Sequence, residues 1–138
     1  MTSTRTRPDR CPGVLRRWPA DDGNLVRIRL AGGRLPTASL RSLIEVSTRY
    51  GDGDVHLTDR ANLQVRGLPQ ITAEIVAAFE ATGLLPSRTH ERARNLMASP
   101  QTGLAGGRAD LRPLVAELDR LICSTPALAD LPGRFLFA

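Results

Sequence analysis

Apolar and polar residues alternate between positions 55 and 66 of the chain, with Asp59 as the exception. A period of two is typical of a half-buried β-strand, because successive side chains of a strand point to opposite faces. The apolar face is predicted to carry Val55, Leu57, Ala61, Leu63 and Val65. The polar face is predicted to carry His56, Thr58, Arg60, Asn62, Gln64 and Arg66. Such a face either meets water or presents a row of guanidinium and amide groups to a large anionic ligand.

The same stretch has two possible backbone arrangements. One strand over residues 54–66 would be longer than most strands, so a bend near Asp59 is expected. On a continuous strand, Arg60 and Arg66 would lie about 20 Å apart. A hairpin that turns at residues 59–61 is the alternative, and the alternation does not distinguish them because both keep a period of two.

The rest of the chain predicts strands alternating with helices. Prolines and glycines punctuate residues 1–23, which indicates a tail with turns. Arginines alternate with apolar residues over about 24–30, which indicates a first strand. Helical spacing of apolar residues predicts three helices, one between Pro36 and Gly51, one between Pro69 and Gly83, and one capped by Asp110. Short strands are expected at residues 94–98 and 133–138.

Composition excludes several classes of protein. A chain of 138 residues with 41% hydrophobic content suits one domain with a real core. No apolar run approaches the roughly 20 residues of a transmembrane helix, and no apolar segment follows the basic N-terminus. We therefore expect a cytoplasmic protein without a membrane partner.

Charge favours an anionic partner. The net charge is +5, and all 19 basic residues are arginines. Such a balance is compatible with nucleic acid, an acidic cofactor or an acidic protein. Aromatic residues, on which bases stack, make up only 4% of the chain, so we expect no nucleic-acid partner. Cys11 and Cys123 lack metal-ligand spacing, and we expect two free thiols and no metal site.

Several ordered motifs resemble one family. The segment LTDRANLQVRG at 57–67 resembles the signature strand of the nitrite and sulfite reductase superfamily, and ERARNLMASPQTG at 91–103 resembles its Arg-Asn and Ser-Pro segment. The segments RPDRCPGV at 7–14 and DGNLVRIRL at 22–30 resemble the start of precorrin-3B synthase, a branch of that superfamily. The segment LPGRFLF at 131–137 resembles the strand that leads into the family's second half.

The resemblance implies an α+β fold in three parts. Residues 1–23 would be an N-terminal tail, 24–84 a ferredoxin-like half-domain, and 90–138 the incomplete beginning of the sirohaem/4Fe–4S domain. It assigns Arg60 and Arg94 to a catalytic anion site. It also assigns a tetrapyrrole-binding role to a larger set: Arg60, Asn62, Gln64, Arg66, Arg94 and Asn95.

The resemblance also implies a function. We expect an oxidoreductase portion of the precorrin-3B synthase type, acting in cobalamin biosynthesis, with sirohaem or a related tetrapyrrole and a 4Fe–4S cluster at the family level. The cluster cysteines and the second half-domain are missing from this chain, which would then be a truncated product, a piece of a split enzyme or a fragment, inactive alone. An assimilatory sulfite or nitrite reductase is the alternative. A non-catalytic module that binds a tetrapyrrole, pairs with a C-terminal half chain or forms a homodimer remains open.

Overall fold

A four-stranded antiparallel sheet organises the first two thirds of the chain in the computed structural model, which describes residues 8–138. Residues 1–7, the start of the predicted tail, lie outside the described residues. The strands, in the spatial order β1-β2-β4-β3, are β1 (Trp18–Ala20), β2 (Gly23–Ile28), β3 (His56–Leu57) and β4 (Leu63–Leu68). The helices are α1 (Thr37–Tyr50), α2 (Ala73–Ala81) and α3 (Arg112–Ser124), with 3-10 turns at Ala31–Gly33 and Pro126–Asp130.

The helices begin and end where local groups can satisfy their free backbone donors and acceptors. The helix α1 follows Pro36 and ends at Gly51, as predicted. The helix α2 begins later than Pro69, because the Thr72 side chain accepts from the N–H of Ile75 at 3.3 Å and caps the first turn. Asp110 stands one residue before the N-cap of α3, and its carboxylate accepts from the N–H of Arg112 at 3.0 Å.

The hairpin alternative for residues 54–66 is correct. The strands β3 and β4 pair antiparallel, with His56 opposite Gln64. Ala61 adopts a φ of 54° in the turn between them. Arg60 and Ala61 therefore belong to the turn instead of to a strand face. Leu57 shares a face with its register partner Leu63, but it is 84% exposed on the edge strand β3. The alternation continued across the turn, so the period alone could not reveal the reversal.

The main core lies between the sheet and the helices α1 and α2. On the sheet side, Val26 and Ile28 of β2 face Leu63 and Val65 of β4. The helices contribute mainly Leu43, Val46, Ile75, Val76 and Phe79. A register shift between β2 and β4 adds one residue to β4, so that Leu68 is buried three positions after Val65.

A second, smaller core joins α3 to the segment that follows the half-domain. Ala93, Leu96 and Ile122 form its centre. The strands predicted at 94–98 and 133–138 are reduced to one parallel bridge between Leu96 and Phe137. The N–H of Phe135 bonds the carbonyl of Pro132 at 2.8 Å, a turn that prevents a longer strand.

The N-terminal segment is tied to the rest of the molecule from residue 9 onward. Glu91 accepts from the N–H groups of Val14 and Leu15 at 2.7 and 3.0 Å, and Val14 is fully buried. Residues 18–20 form β1, which the turn-rich composition did not predict. Both features depend on partners far along the chain. No helix within residues 8–138 is long and apolar enough to cross a membrane.

Candidate functional site

The sheet face opposite α1 and α2, here called the open face, collects the polar residues of the strands. Arg27 and Arg29 alternate with the core residues of β2 and therefore point to this face. Gln64 pairs with Arg27 on one side and with His56 on the other, so these three side chains share the face. Trp18 pairs with Leu25 at the β1 edge. The open face is thus rich in guanidinium and amide groups.

Arg29 is the most unusual residue of this face. Its guanidinium is buried, with only 3% of the residue exposed. Its Nε donates to Asn95 Oδ1 at 3.0 Å, and its Nη1 donates to the Pro12 carbonyl at 2.8 Å. Its Nη2 has no acceptor among residues 8–138. Because an unpaired buried donor is costly, this nitrogen is suited to an anionic ligand atom.

Arg29 remains a cation at neutral pH. Burial is the main cause that lowers the pKa of Arg29 to about 10, and the nearby positive charge of Arg27 acts in the same direction. The opposing charge of Glu91 raises the pKa of Arg29. A buried guanidinium with incomplete pairing retains strong electrostatic attraction for an anion in a site of low dielectric constant.

Two predicted amides hold the backbone around Arg29. Asn95 Nδ2 donates to the Gly133 carbonyl at 2.7 Å and to the Arg92 carbonyl at 3.0 Å. Asn62 Oδ1 accepts from the N–H of Leu30 at 2.9 Å. Both amides are buried, and these bonds fix β2, the hairpin turn and the C-terminal segment around one end of the open face.

The predicted arginines occupy three different environments. Arg60 lies in the hairpin turn, and its Nη1 donates to the Arg134 carbonyl at 3.0 Å, next to the Gly133 that Asn95 holds. Arg66 forms a two-bond ion pair with Asp22 at 2.8 and 3.1 Å. In the amide orientation that satisfies both side chains, Gln64 Oε1 accepts from Arg27 Nη2 at 2.6 Å.

Arg94 faces α3. Its Nε and Nη2 donate to the two oxygens of Asp119 at 2.7 and 2.8 Å, and its Nη1 donates to the Leu84 carbonyl at 3.4 Å. All three nitrogens therefore have protein acceptors, unlike those of Arg29. The structure thus brings Arg60, Asn62 and Asn95 to the Arg29 end of the open face, while the Arg94 guanidinium joins the half-domain to α3.

Sequence reasoning missed Arg29 as a site residue. The signal was present, since Arg27 and Arg29 alternate with apolar residues and must share a polar face. The alternation did not show that Pro12 and Asn95 would cover one of the two arginines. Burial from remote segments is what distinguishes Arg29 from its neighbour.

The two cysteines lie in separate parts of the structure. Cys11 is in the N-terminal segment and Cys123 is on α3, and both are free and half-buried. Burial raises the pKa of both thiols, so they are neutral at physiological pH. Within residues 8–138, no group of three or more His, Cys, Asp or Glu side chains is arranged to hold a metal ion.

Comparison with known proteins identifies the class to which this fold belongs. Residues 19–81 match the family described as the nitrite/sulfite reductase ferredoxin-like half domain. This match places residues 19–81 in the nitrite/sulfite reductase superfamily, as the sequence motifs indicated. Its α+β fold with an antiparallel sheet is confirmed. The matched half domain covers all four strands and the first two helices, including most of the open face.

Three relatives illustrate the range of the family. The chain is 34% identical over 129 residues to a ferredoxin–nitrite reductase of Leptolyngbya laminosa, covering 87% of this chain and 25% of the relative. It is 30% identical over 117 residues to a ferredoxin-dependent sulfite reductase of Mycolicibacterium paratuberculosis, and the match covers 80% of this chain and 20% of the relative. It is 36% identical over 58 residues to a precorrin-3B synthase of Sinorhizobium sp, and the match covers 42% of this chain and 13% of the relative.

A solved structure shows the same fold. The NirA protein of Mycobacterium tuberculosis superimposes with a TM-score of 0.63 at 24% identity, covering 93% of this chain and 24% of NirA. The chain spans about a quarter or less of each of these proteins. The nitrite and sulfite reductases match much more of the chain than the precorrin-3B synthase does, which reverses the order expected from the sequence motifs.

Proposed function

We propose that this chain supplies one half of the tetrapyrrole and anion site of a nitrite or sulfite reductase. The proposal depends chiefly on Arg29, a buried cation whose Nη2 has no acceptor among the described residues. The long matches to nitrite and sulfite reductases support this class of activity. The rest of the site would come from the remaining parts of the family fold, in the same or in a separate polypeptide.

A sirohaem fits the residues of the open face. It is a flat macrocycle with many carboxylates, and arginine forks and amides are the groups that bind carboxylates well. We assign the contacts to Arg29, Arg60, Asn62, Gln64 and Arg66, all on this face or at its edge. When bound, the sirohaem would supply the electron-transfer chemistry. The arginines would bind and orient its carboxylates and hold a small oxyanion by charge-assisted hydrogen bonds.

Arg94 and Asn95 would act on this site in different ways. Asn95 would position Arg29 through the 3.0 Å bond to its Nε. Arg94 would need to exchange one of its protein acceptors before it could bind an anion, because Asp119 and Leu84 engage its nitrogens. The proposal therefore gives Arg29, which keeps one unpaired nitrogen, the anion-attracting role that the sequence motifs gave to Arg94.

An iron–sulfur cluster does not fit the residues of this chain. Such clusters normally take four cysteine ligands. Cys11 and Cys123 are two neutral thiols in different parts of the structure. The cluster ligands would therefore come from elsewhere in the family fold.

Titration of the 138-residue chain with sirohaem tests the proposal. Saturable binding, followed by the change in sirohaem absorbance, is expected for the parent chain. Arg29→Gln and Arg60→Ala should each weaken the affinity by about tenfold, the equivalent of one charge-assisted hydrogen bond of roughly 1.5 kcal/mol. Arg41→Ala, an exposed arginine of α1 on the opposite side of the sheet, is the matched control.

Thermal unfolding of each variant separates loss of binding from loss of fold. The Arg60→Ala variant should keep the parent's melting temperature, because its side chain makes a single exposed bond. Absence of sirohaem binding by the folded parent chain would overturn the proposal. Equal affinity of the parent, Arg29→Gln and Arg60→Ala would remove both arginines from the site.

Precorrin-3B synthase is a second candidate. The 36% identity over 58 residues and the RPDRCPGV segment at 7–14 favour it. In that case the macrocycle itself would be the substrate, in an oxygenation and ring contraction during cobalamin biosynthesis. Stronger binding of an iron-free precorrin than of sirohaem would support this candidate over a nitrite or sulfite reductase.

A role without catalysis is the candidate from another class. The open face could bind a tetrapyrrole or pair with a second polypeptide chain without any reaction. Activity on nitrite or sulfite, measured after adding the complementary part of the family fold together with sirohaem, separates the two classes. Sirohaem binding without any such activity would favour the non-catalytic module.

A further inference from the structure

A shallow cleft lies at the β1 edge of the open face, where the N-terminal segment meets the sheet. Its volume is about 210 Å³, and its lining consists of Arg10, Pro12, Trp18, Leu25 and Arg27. We call it the Trp18 cleft. Its floor is apolar and aromatic, its basic groups are two guanidinium groups, and none of the five lining residues is acidic.

The strand pairing explains why these groups meet. Trp18 of β1 is the register partner of Leu25 of β2, so the indole lies beside a buried leucine. Arg27 follows two residues later and therefore points to the same face. The N-terminal segment supplies the third wall through Arg10 and Pro12. The indole is 41% exposed, which leaves its ring accessible.

The Trp18 cleft is continuous with the Arg29 end of the open face. Pro12 lines the cleft, and its carbonyl accepts from Arg29 Nη1 at 2.8 Å. Arg27 also lines the cleft and stands opposite Gln64 in the sheet. A ligand extending over Gln64 would therefore reach the cleft by way of Arg27.

We propose that the Trp18 cleft binds one carboxylate-bearing edge of a flat conjugated macrocycle, with the ring against Trp18 and the carboxylates on Arg10 and Arg27. This inference rests on the proposed tetrapyrrole function of the open face. A flat ring gains from packing on an indole, and a guanidinium fork matches a carboxylate. The volume is below that of a pocket for a whole small ligand, so the cleft holds an edge.

Sirohaem titration of cleft variants provides the first test. Arg10→Ala, Arg27→Ala and Trp18→Ala should each weaken sirohaem binding by about tenfold. Trp18→Phe should restore most of the affinity, because it keeps a flat ring. Arg41→Ala should bind as the parent does. Thermal unfolding of each variant shows whether the fold is kept, and Arg10 and Trp18 are exposed enough to be replaced without loss of the core.

Fluorescence provides the second test, because Trp18 is the sole tryptophan of the chain. Benzene hexacarboxylate, which combines a flat ring with carboxylates, should quench Trp18 saturably and should compete with sirohaem. Citrate carries carboxylates without a ring and should do neither at the same concentration. Equal effects of both probes would mean that charge alone acts there and would overturn the inference.

The outcomes separate the cleft from the wider function. Parent-like sirohaem affinity in Arg10→Ala, Arg27→Ala and Trp18→Ala would overturn the cleft and leave the proposed function standing. No sirohaem binding by the parent chain would overturn both. Weakened binding in the cleft variants, with rescue by Trp18→Phe, would support both.

Discussion

At the scale of single residues, the environment of Arg29 is set by groups that are remote in sequence. Asn95 and Pro12 each take one of its N–H groups, and neither is within fifteen residues of it along the chain. What remains is one nitrogen without an acceptor among residues 8–138. This missing hydrogen-bond acceptor at Arg29 Nη2 points to an anionic ligand more directly than the number of arginines does.

Asp9 is the carboxylate that holds the N-terminal segment against this site. Its Oδ2 accepts from the N–H of Gly133 and from Arg92 Nη1, both at 2.6 Å, and its Oδ1 accepts from the N–H of Cys11 at 3.1 Å. Burial by itself would raise the pKa of Asp9, but these hydrogen bonds and the Arg92 charge together lower it below 3.8.

Asp9→Asn should lower the free energy of unfolding by about 1–3 kcal/mol at pH 7. Because the folded pKa is lowered, the unfolded chain takes up the proton first. The contribution of Asp9 is therefore present above pH 3.8 and is lost as the pH falls through the lower folded pKa. Urea unfolding of the parent and the variant at several pH values measures it.

The difference between the two proteins should thus shrink below pH 3.8. Asp130→Asn, at an exposed aspartate in the C-terminal 3-10 turn, is the control and should behave as the parent at every pH. A difference that stays constant down to the acid unfolding limit would show that Asp9 acts without its charge.

At the scale of elements, the hairpin of β3 and β4 decides which side chains reach the core. Thr58 and Asn62 bond across the turn, with the Thr58 N–H donating to the Asn62 carbonyl at 3.0 Å and the Asn62 N–H donating to Thr58 Oγ1 at 3.1 Å. After the turn, Leu63 enters the core, while Leu57 before it remains in solvent. A period of two therefore predicted the faces of β4 correctly, but it did not show that Leu57 on the edge strand β3 would remain exposed.

Leu63→Ala should reduce the free energy of unfolding by about 2–5 kcal/mol, because the residue is 1% exposed and its removal leaves a cavity. Leu57→Ala is the matched control, and at 84% exposure it should change stability by less than about 0.5 kcal/mol. Chemical unfolding of both variants gives the comparison. An equal loss in the free energy of unfolding for both variants would contradict the placement of Leu63 in the core and Leu57 in solvent.

At the scale of the whole molecule, an ion pair joins the segment that follows the half-domain to α3. The Arg94 and Asp119 side chains are 7% and 19% exposed, and two hydrogen bonds connect them. The apolar contacts between this segment and α3 come from a cluster centred on Ala93, Leu96 and Ile122. The pair therefore adds a charged, two-bond contact to this apolar cluster on α3.

Asp119→Ala should destabilise the protein by about 3–5 kcal/mol, because it leaves the buried Arg94 guanidinium without its charge partner. The double variant Arg94→Met with Asp119→Leu should recover most of this loss, since it replaces the whole pair by apolar groups. Hydrogen exchange of the α3 amides, combined with chemical unfolding, measures both effects. A double variant as unstable as Asp119→Ala would contradict the explanation.

The family and most elements were predictable from short-range patterns. Alternation and helical spacing depend only on neighbouring residues, so the main strands and the three helices were predicted with small errors at their ends. The segments at 57–67 and 91–103 identified the superfamily. The sequence motifs ranked precorrin-3B synthase first because they rested on short N-terminal segments, whereas the longer matches to nitrite and sulfite reductases support the alternative better.

By itself, the sequence determined that a strand face would carry arginines and amides, since a strand must send alternate side chains to opposite sides. Only the tertiary structure decided which arginine would be covered. Arg29 is enclosed by Pro12 and Asn95, while Arg94 is neutralised by Asp119. Burial and charge pairing depend on contacts between segments that are distant in sequence. A pattern with a period of two contains no information about such long-range contacts.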